Sequence, residues 1–135
     1  MSQISRRYLN PKVEQQIFST FVESFTSLSS TQKATDFLYD LLSPVEQVML
    51  GKRLAIAYML MKGYAQRTVA DTIKVSQATV TKVNASLKIG MGYRAIISHM
   101  LQREKIVAFF DKLEEKIEDI LPKRKISFSI NNKHK

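Results

Sequence analysis

QRTVADTIKVSQATVTKVNA, residues 66–85, spaces its small and apolar side chains as two short helices crossing over a three-residue turn require. Val69 and Ile73 lie one turn apart on the first helix, and Ala70 is small where the second helix must pass close. Val75 plugs the turn, and Val80 and Val83 face back from the second helix at i and i+3. Ser76 stands where an N-cap is wanted, so the second helix starts at Gln77. Lys74 opens the turn, where a left-handed backbone favours glycine and any other residue costs about 1–2 kcal/mol. The stretch reads as a helix-turn-helix, the unit that lays its second helix in the major groove of DNA; an ordinary helical hairpin is the competing reading.

Outward from this unit, the charge is unevenly placed. The net +9 divides into +3 over residues 1–12, −2 over 13–61, +5 over 62–94, −2 over 95–121 and +5 over 122–135. Lys and Arg neutralise phosphates and supply the sequence-independent part of DNA affinity, so a DNA-binding face with basic arms would show this distribution. Each tail taken alone would equally serve solubility.

On the N-terminal side, Asn10-Pro11 pairs a cap with proline at the first helical position. Val13, Ile17, Phe18, Phe21, Phe25 and Leu28 then follow a 3–4 spacing to a serine-rich break over residues 27–31. A short helix is expected from about Thr31 to Leu42, and Ser43-Pro44-Val45-Glu46 has the capping-box pattern that opens a third helix, ended by Gly63. That helix is apolar almost all round, which predicts burial on several sides. On the C-terminal side, Gly90-Met91-Gly92 interrupts the run, and one long helix to Leu121 should follow, with Ile96, Met100, Val107, Phe110, Leu113, Ile117 and Ile120 inward. Its carboxylates, Glu114 among them, read most simply as a solvated face. The expected organisation is a basic arm over residues 1–10, one all-α domain of about six helices over 11–121, and a basic tail over 122–135.

Several function classes are set aside. No apolar run approaches a membrane span, and MSQISRRYLN lacks the apolar core of a signal peptide, so a cytoplasmic location without a membrane partner is expected. The chain has no cysteine, and its two histidines, His99 and His134, have no neighbour at metal-ligand spacing; neither a metal nor a catalytic residue is expected, and His99 reads as a partly buried helix residue. Gly90-Met91-Gly92 lacks the third glycine of a phosphate loop and follows a helix. The protein is therefore not expected to be an enzyme.

Over about Leu41 to Lys88 the chain resembles the Trp repressor family. The matching words are Leu41-Leu42-Ser43-Pro44 with Glu46, Leu50-Gly51-Lys52-Arg53, Gln66-Arg67, and Ala78-Thr79-Val80-Thr81-Lys82 running into Asn84-Ala85-Ser86-Leu87-Lys88. The resemblance implies an all-α intertwined homodimer whose reading heads enter successive major grooves of double-stranded DNA, and hence a sequence-specific transcriptional regulator, in all expectation a repressor at a two-fold operator. The DNA-binding candidates are Gln66, Arg67, Ser76, Gln77, Ala78, Thr79, Thr81, Lys82 and Lys88, with Arg67 at a position that resembles a base contact of the family. A corepressor pocket is also implied, over Arg53, Lys82, Val83 and Ser86. Here the chain departs from the pattern: Lys82 replaces an arginine that grips the ligand carboxylate, and Val83 replaces a glycine that leaves room for an indole. The added isopropyl group counts against tryptophan as a cofactor, and none is assigned. The alternative function is an RNA-binding or protein-interaction helical module that would tolerate loss of charge on the second helix.

Overall fold

The computed structural model describes residues 7–120; both the basic tail over 122–135 and most of the arm over 1–10 lie outside them. The described residues form seven α-helices and no strand. They divide into two compact units, with the boundary between Gln47 and Val48.

The first unit contains α1 (Pro11–Thr26), α2 (Thr31–Leu41) and the start of α3 (Pro44–Met61). Each helix begins where the sequence supplies an oxygen for its unpaired amides. Asn10 Oδ1 accepts from the Lys12 amide at 2.9 Å, and Ser30 Oγ from the Lys33 amide at 3.1 Å. Ser43 and Glu46 close a reciprocal capping box: the Ser43 amide donates to Glu46 Oε1 at 3.0 Å, and the Glu46 amide to Ser43 Oγ at 3.2 Å. The Ser43 backbone and hydroxyl bonds hold the Glu46 carboxyl below its ordinary pKa. Phe25 stands edge-on to both Phe21 and Phe37, at 5.0 and 5.9 Å between ring centres, which ties α1 to α2. Even so, no residue of either helix is buried, and Ile17 and Phe18 remain 57% and 65% exposed.

The second unit holds the body of α3 with α4 (Gln66–Ile73), α5 (Gln77–Ile89), α6 (Gly92–Met100) and α7 (Glu104–Ile120). Its core gathers Ile56, Ala57, Tyr58 and Met59 from α3, Val69, Ala70 and Ile73 from α4, and Val80, Val83 and Leu87 from α5, closed by Ile97, Phe110 and Ile117. Four consecutive buried residues on α3 mean that this part of the helix is covered on all sides, as its composition predicts. Nearer its start the expectation fails, since Val48 and Leu50 stay exposed.

The expected single helix after Gly92 is two, and the count of about six helices becomes seven. Residues 101–103 interrupt it, where the amides of Gln102 and Arg103 turn to carbonyls three residues back, at 3.3 and 3.0 Å. Neither glycine nor proline marks the break; packing imposes it. Thirteen residues along one α-helix amount to about 220° of rotation, which would set Ile97 and Phe110 on opposite faces. The interruption resets the register so that both enter one core, and Ile97 is buried while Ile96, expected inward, is exposed. His99 is likewise exposed, not partly buried.

Lys74 adopts φ 62° and ψ 57°, the left-handed turn expected of it, and is the one non-glycine residue with positive φ among the described residues. Its side chain is exposed, so Lys74→Gly removes strain with little loss of packing. Relief of about 1–2 kcal/mol, less about 0.5–1 kcal/mol for the freer unfolded chain, should leave a gain of up to about 1.5 kcal/mol and raise the thermal midpoint by a few degrees. An unchanged or lowered midpoint in calorimetry would contradict the strain.

Candidate nucleic-acid interface

The helix-turn-helix is built on α4 and α5, whose inner faces carry five of the buried core residues between Val69 and Val83. At the end of α4 the amides of Lys74 and Val75 both reach back to the Ala70 carbonyl, the latter at 3.1 Å, so the chain wraps tightly out of the helix. From α3, Lys52 Nζ donates to the Lys74 carbonyl at 3.2 Å and pins the turn. Ser76 then caps α5: its Oγ accepts from the Thr79 amide at 3.2 Å and lies 3.0 Å from the Thr79 hydroxyl.

Burial separates the two faces of α5. Val80, Val83 and Leu87, spaced three and four apart, point into the core, while Gln77, Ala78, Thr81, Lys82 and Lys88 are exposed. Arg67, at the second position of α4, is also exposed. Gln66 and Thr79 are half-buried, and the Thr81 hydroxyl donates to Gln66 Oε1 at 3.0 Å, joining the start of α4 to the outer face of α5. Of the DNA-binding candidates, the structure thus links Ser76 with Thr79 and Gln66 with Thr81. Arg67, Gln77, Ala78, Lys82 and Lys88 are presented singly.

The effector candidates are arranged differently. Val83 is 4% exposed and part of the core. Arg53 is half-buried on α3, and Lys82 and Ser86 lie on the exposed side of α5, where the Ser86 hydroxyl donates to the Lys82 carbonyl at 3.2 Å. Among the described residues no hydrogen bond or ion pair joins Arg53 to Lys82 or Ser86.

Two residues that hold this unit escaped sequence reasoning. Lys52 was no more than part of a matching word. Glu114 does not belong to a solvated face: its side chain is 17% exposed, and it accepts from the hydroxyls of Tyr58 and Tyr64 at 2.5 and 3.4 Å with Lys62 Nζ at 3.7 Å. A signal existed, because Glu114 is four residues after Phe110 and three before Ile117, on the apolar stripe itself. The Tyr58 ring stacks on Phe110 at 3.7 Å with 9° between planes. Burial, then the bond to Glu114, push the Tyr58 hydroxyl above its ordinary pKa, so it remains a donor throughout the physiological range.

Among the described residues no group of His, Cys, Asp or Glu could hold a metal ion, and no helix is long and apolar enough to cross a membrane. The family model of the Trp repressor protein matches residues 16–101, which takes in most of α1 and all of α2 to α6 and stops short of α7. A Trp operon repressor homolog of Actinobacillus succinogenes is 34% identical over 73 residues, covering 53% of this chain and 72% of that protein. No solved structure matches the chain.

Proposed function

The chain belongs to the Trp repressor family, and on that premise we propose that the protein is a transcriptional repressor that reads a two-fold operator in double-stranded DNA as a homodimer. The family is one of DNA-binding transcriptional regulators and not of enzymes. The observation that carries the reading is the division of α5 into an apolar face sunk in the core and an exposed face of Gln77, Ala78, Thr81 and Lys82, advanced by a capped N-terminus. In a major groove these residue types have distinct partners: glutamine pairs with adenine, arginine with guanine, and alanine or the threonine methyl meets the thymine methyl. Arg67 and Gln77 are accordingly the main base readers, with Lys82 and Lys88 toward phosphates. Ser76 and Thr79 set the helix start, and the Thr81 bond keeps Gln66 at the edge of the same surface.

Dimerisation is supported by the first unit. Ile17, Phe18, Phe21 and Phe25 make an apolar stripe that the chain leaves largely in water, at a cost a second copy would remove. Two reading heads related by a two-fold axis fit half-sites about 10 base pairs apart. Val83, packed in the core, puts an isopropyl group where the family pattern has a glycine; that counts against room for an indole, and we assign no tryptophan corepressor.

Selection of duplexes from a random pool should return a two-fold sequence, and on it Arg67→Ala and Gln77→Ala should each cost about 1–3 kcal/mol and relax the preference. Unchanged preference in both variants would remove these residues from the reading surface. Light scattering at micromolar concentration without DNA should give the mass of a dimer; a monomer mass would contradict the assembly. Free tryptophan should neither tighten operator binding nor move the thermal midpoint. A true ligand at a hundredfold excess over its dissociation constant would add about 2.7 kcal/mol, readily seen in thermal unfolding.

A further inference from the structure

We propose that Glu114 is a positioning residue for DNA reading, through which α7 fixes the corner where α3 hands over to α4; the inference rests on the DNA-reading function above. The corner has an anchor from outside its own two helices. Helix α3 ends at Met61, Gly63 turns at φ 90°, and α4 starts at Gln66 behind Ala65, whose side chain makes no capping bond. The backbone closes the end of α3, with the Gly63 amide on the Leu60 carbonyl at 3.0 Å and the Tyr64 amide on the Met59 carbonyl at 3.3 Å, but no side chain caps the start of α4. Glu114 supplies the fastening from across the chain. Its carboxylate takes Tyr58 from the last turns of α3, Lys62 just past the helix end, and Tyr64 just before α4, so one side chain holds both ends of the turn. The bond from Tyr58, at 2.5 Å, is the short charge-assisted one, while Tyr64 at 3.4 Å and Lys62 at 3.7 Å are looser contacts.

The rest of α7 makes the anchor rigid. Phe110, one helical turn earlier, stacks on the ring of the same Tyr58, and α7 also packs against α4. With Lys52 holding the turn at the far end, α4 is gripped at both termini. The grip from α7 comes from outside the span that the family model matches. Arg67 sits three residues past Tyr64, so any swing of the corner displaces it directly.

The test compares Glu114→Ala, Glu114→Gln and Glu115→Ala in the full-length protein, at a temperature where circular dichroism shows each fully helical. Glu115 is the exposed neighbour on the same helix and controls for charge alone. Glu114→Ala should speed amide exchange over residues 66–73 at least tenfold and weaken binding to the selected duplex at least tenfold. Binding to a random-sequence duplex should stay within twofold, because that term is set by basic residues and not by alignment. A merely structural role would leave the ratio of the two affinities unchanged in folded protein. Glu114→Gln, which keeps an acceptor for the tyrosines and loses the attraction for Lys62, should fall between, and Glu115→Ala should match the wild type. The proposal is overturned by a wild-type affinity ratio in folded Glu114→Ala, whatever its exchange. Should that variant fail to fold, the same wild-type ratio in folded Glu114→Gln overturns it, as does an equal loss in Glu115→Ala. If the wild type selects no preferred duplex, the DNA-reading function is what fails, and exchange over 66–73 still decides whether Glu114 holds α4.

Discussion

An eight-residue helix does not persist alone in water, and α4 has eight residues. Its existence therefore depends on burial of Val69, Ala70 and Ile73 in the core that α5 and α7 help to close over it, and that dependence organises the second unit. Ala70 is buried within that core, and Lys74 turns left-handed so that α5 departs at the angle that brings Val80 and Val83 home. The lysine in place of glycine marks a strain of about 1–2 kcal/mol that the packing overcomes. Lys52 on the turn and Glu114 on the preceding corner act where α4 has no interior bonds of its own.

Charge is kept apart from this packing. The described residues contain no fully buried charged side chain; the carboxylate of Glu114 is the nearest approach, and it is satisfied by two hydroxyls and an ammonium. The acidic excess of the last helices and the basic excess of residues 62–94 thus meet at one point, Lys62 with Glu114, and the remaining cations of α4 and α5 stay outward. A surface so divided attracts a polyanion without weakening the core that aims it.

What could be read from residues alone was local. The caps at Asn10, Ser43 and Ser76, the left-handed Lys74 and the inward Val80 and Val83 each depend on neighbours within four positions, and each stands in the structure as the spacing implied. The division of the last helix was not legible, because nothing in Leu101-Gln102-Arg103 disfavours a helix; only the shared destination of Ile97 and Phe110 requires the break. Glu114 was missed for the same reason. Its partners lie 50 and 56 residues away, and on a helix with five other acidic residues its place on the apolar stripe was the single distinguishing mark. Val48 and Leu50 show the converse error, since apolar composition predicts burial without saying which chain provides it.

The proposed readings of Val83 and Glu114 bear on one another. A reading head can be held in register by a molecule lodged beside it or by covalently attached structure, and the two differ in regulation. A ligand makes operator affinity follow its concentration, whereas a helix of the same chain makes it a fixed property of the folded protein. Here Val83 is buried in the core where the family pattern has a glycine, and Glu114 of α7 holds Tyr58 and Tyr64 on the way into α4. On those two readings, both features would remove the need for an effector while keeping the reading surface. Control would then pass to whatever sets the number of assembled dimers, with the exposed stripe of α1 as the element that responds to protein concentration.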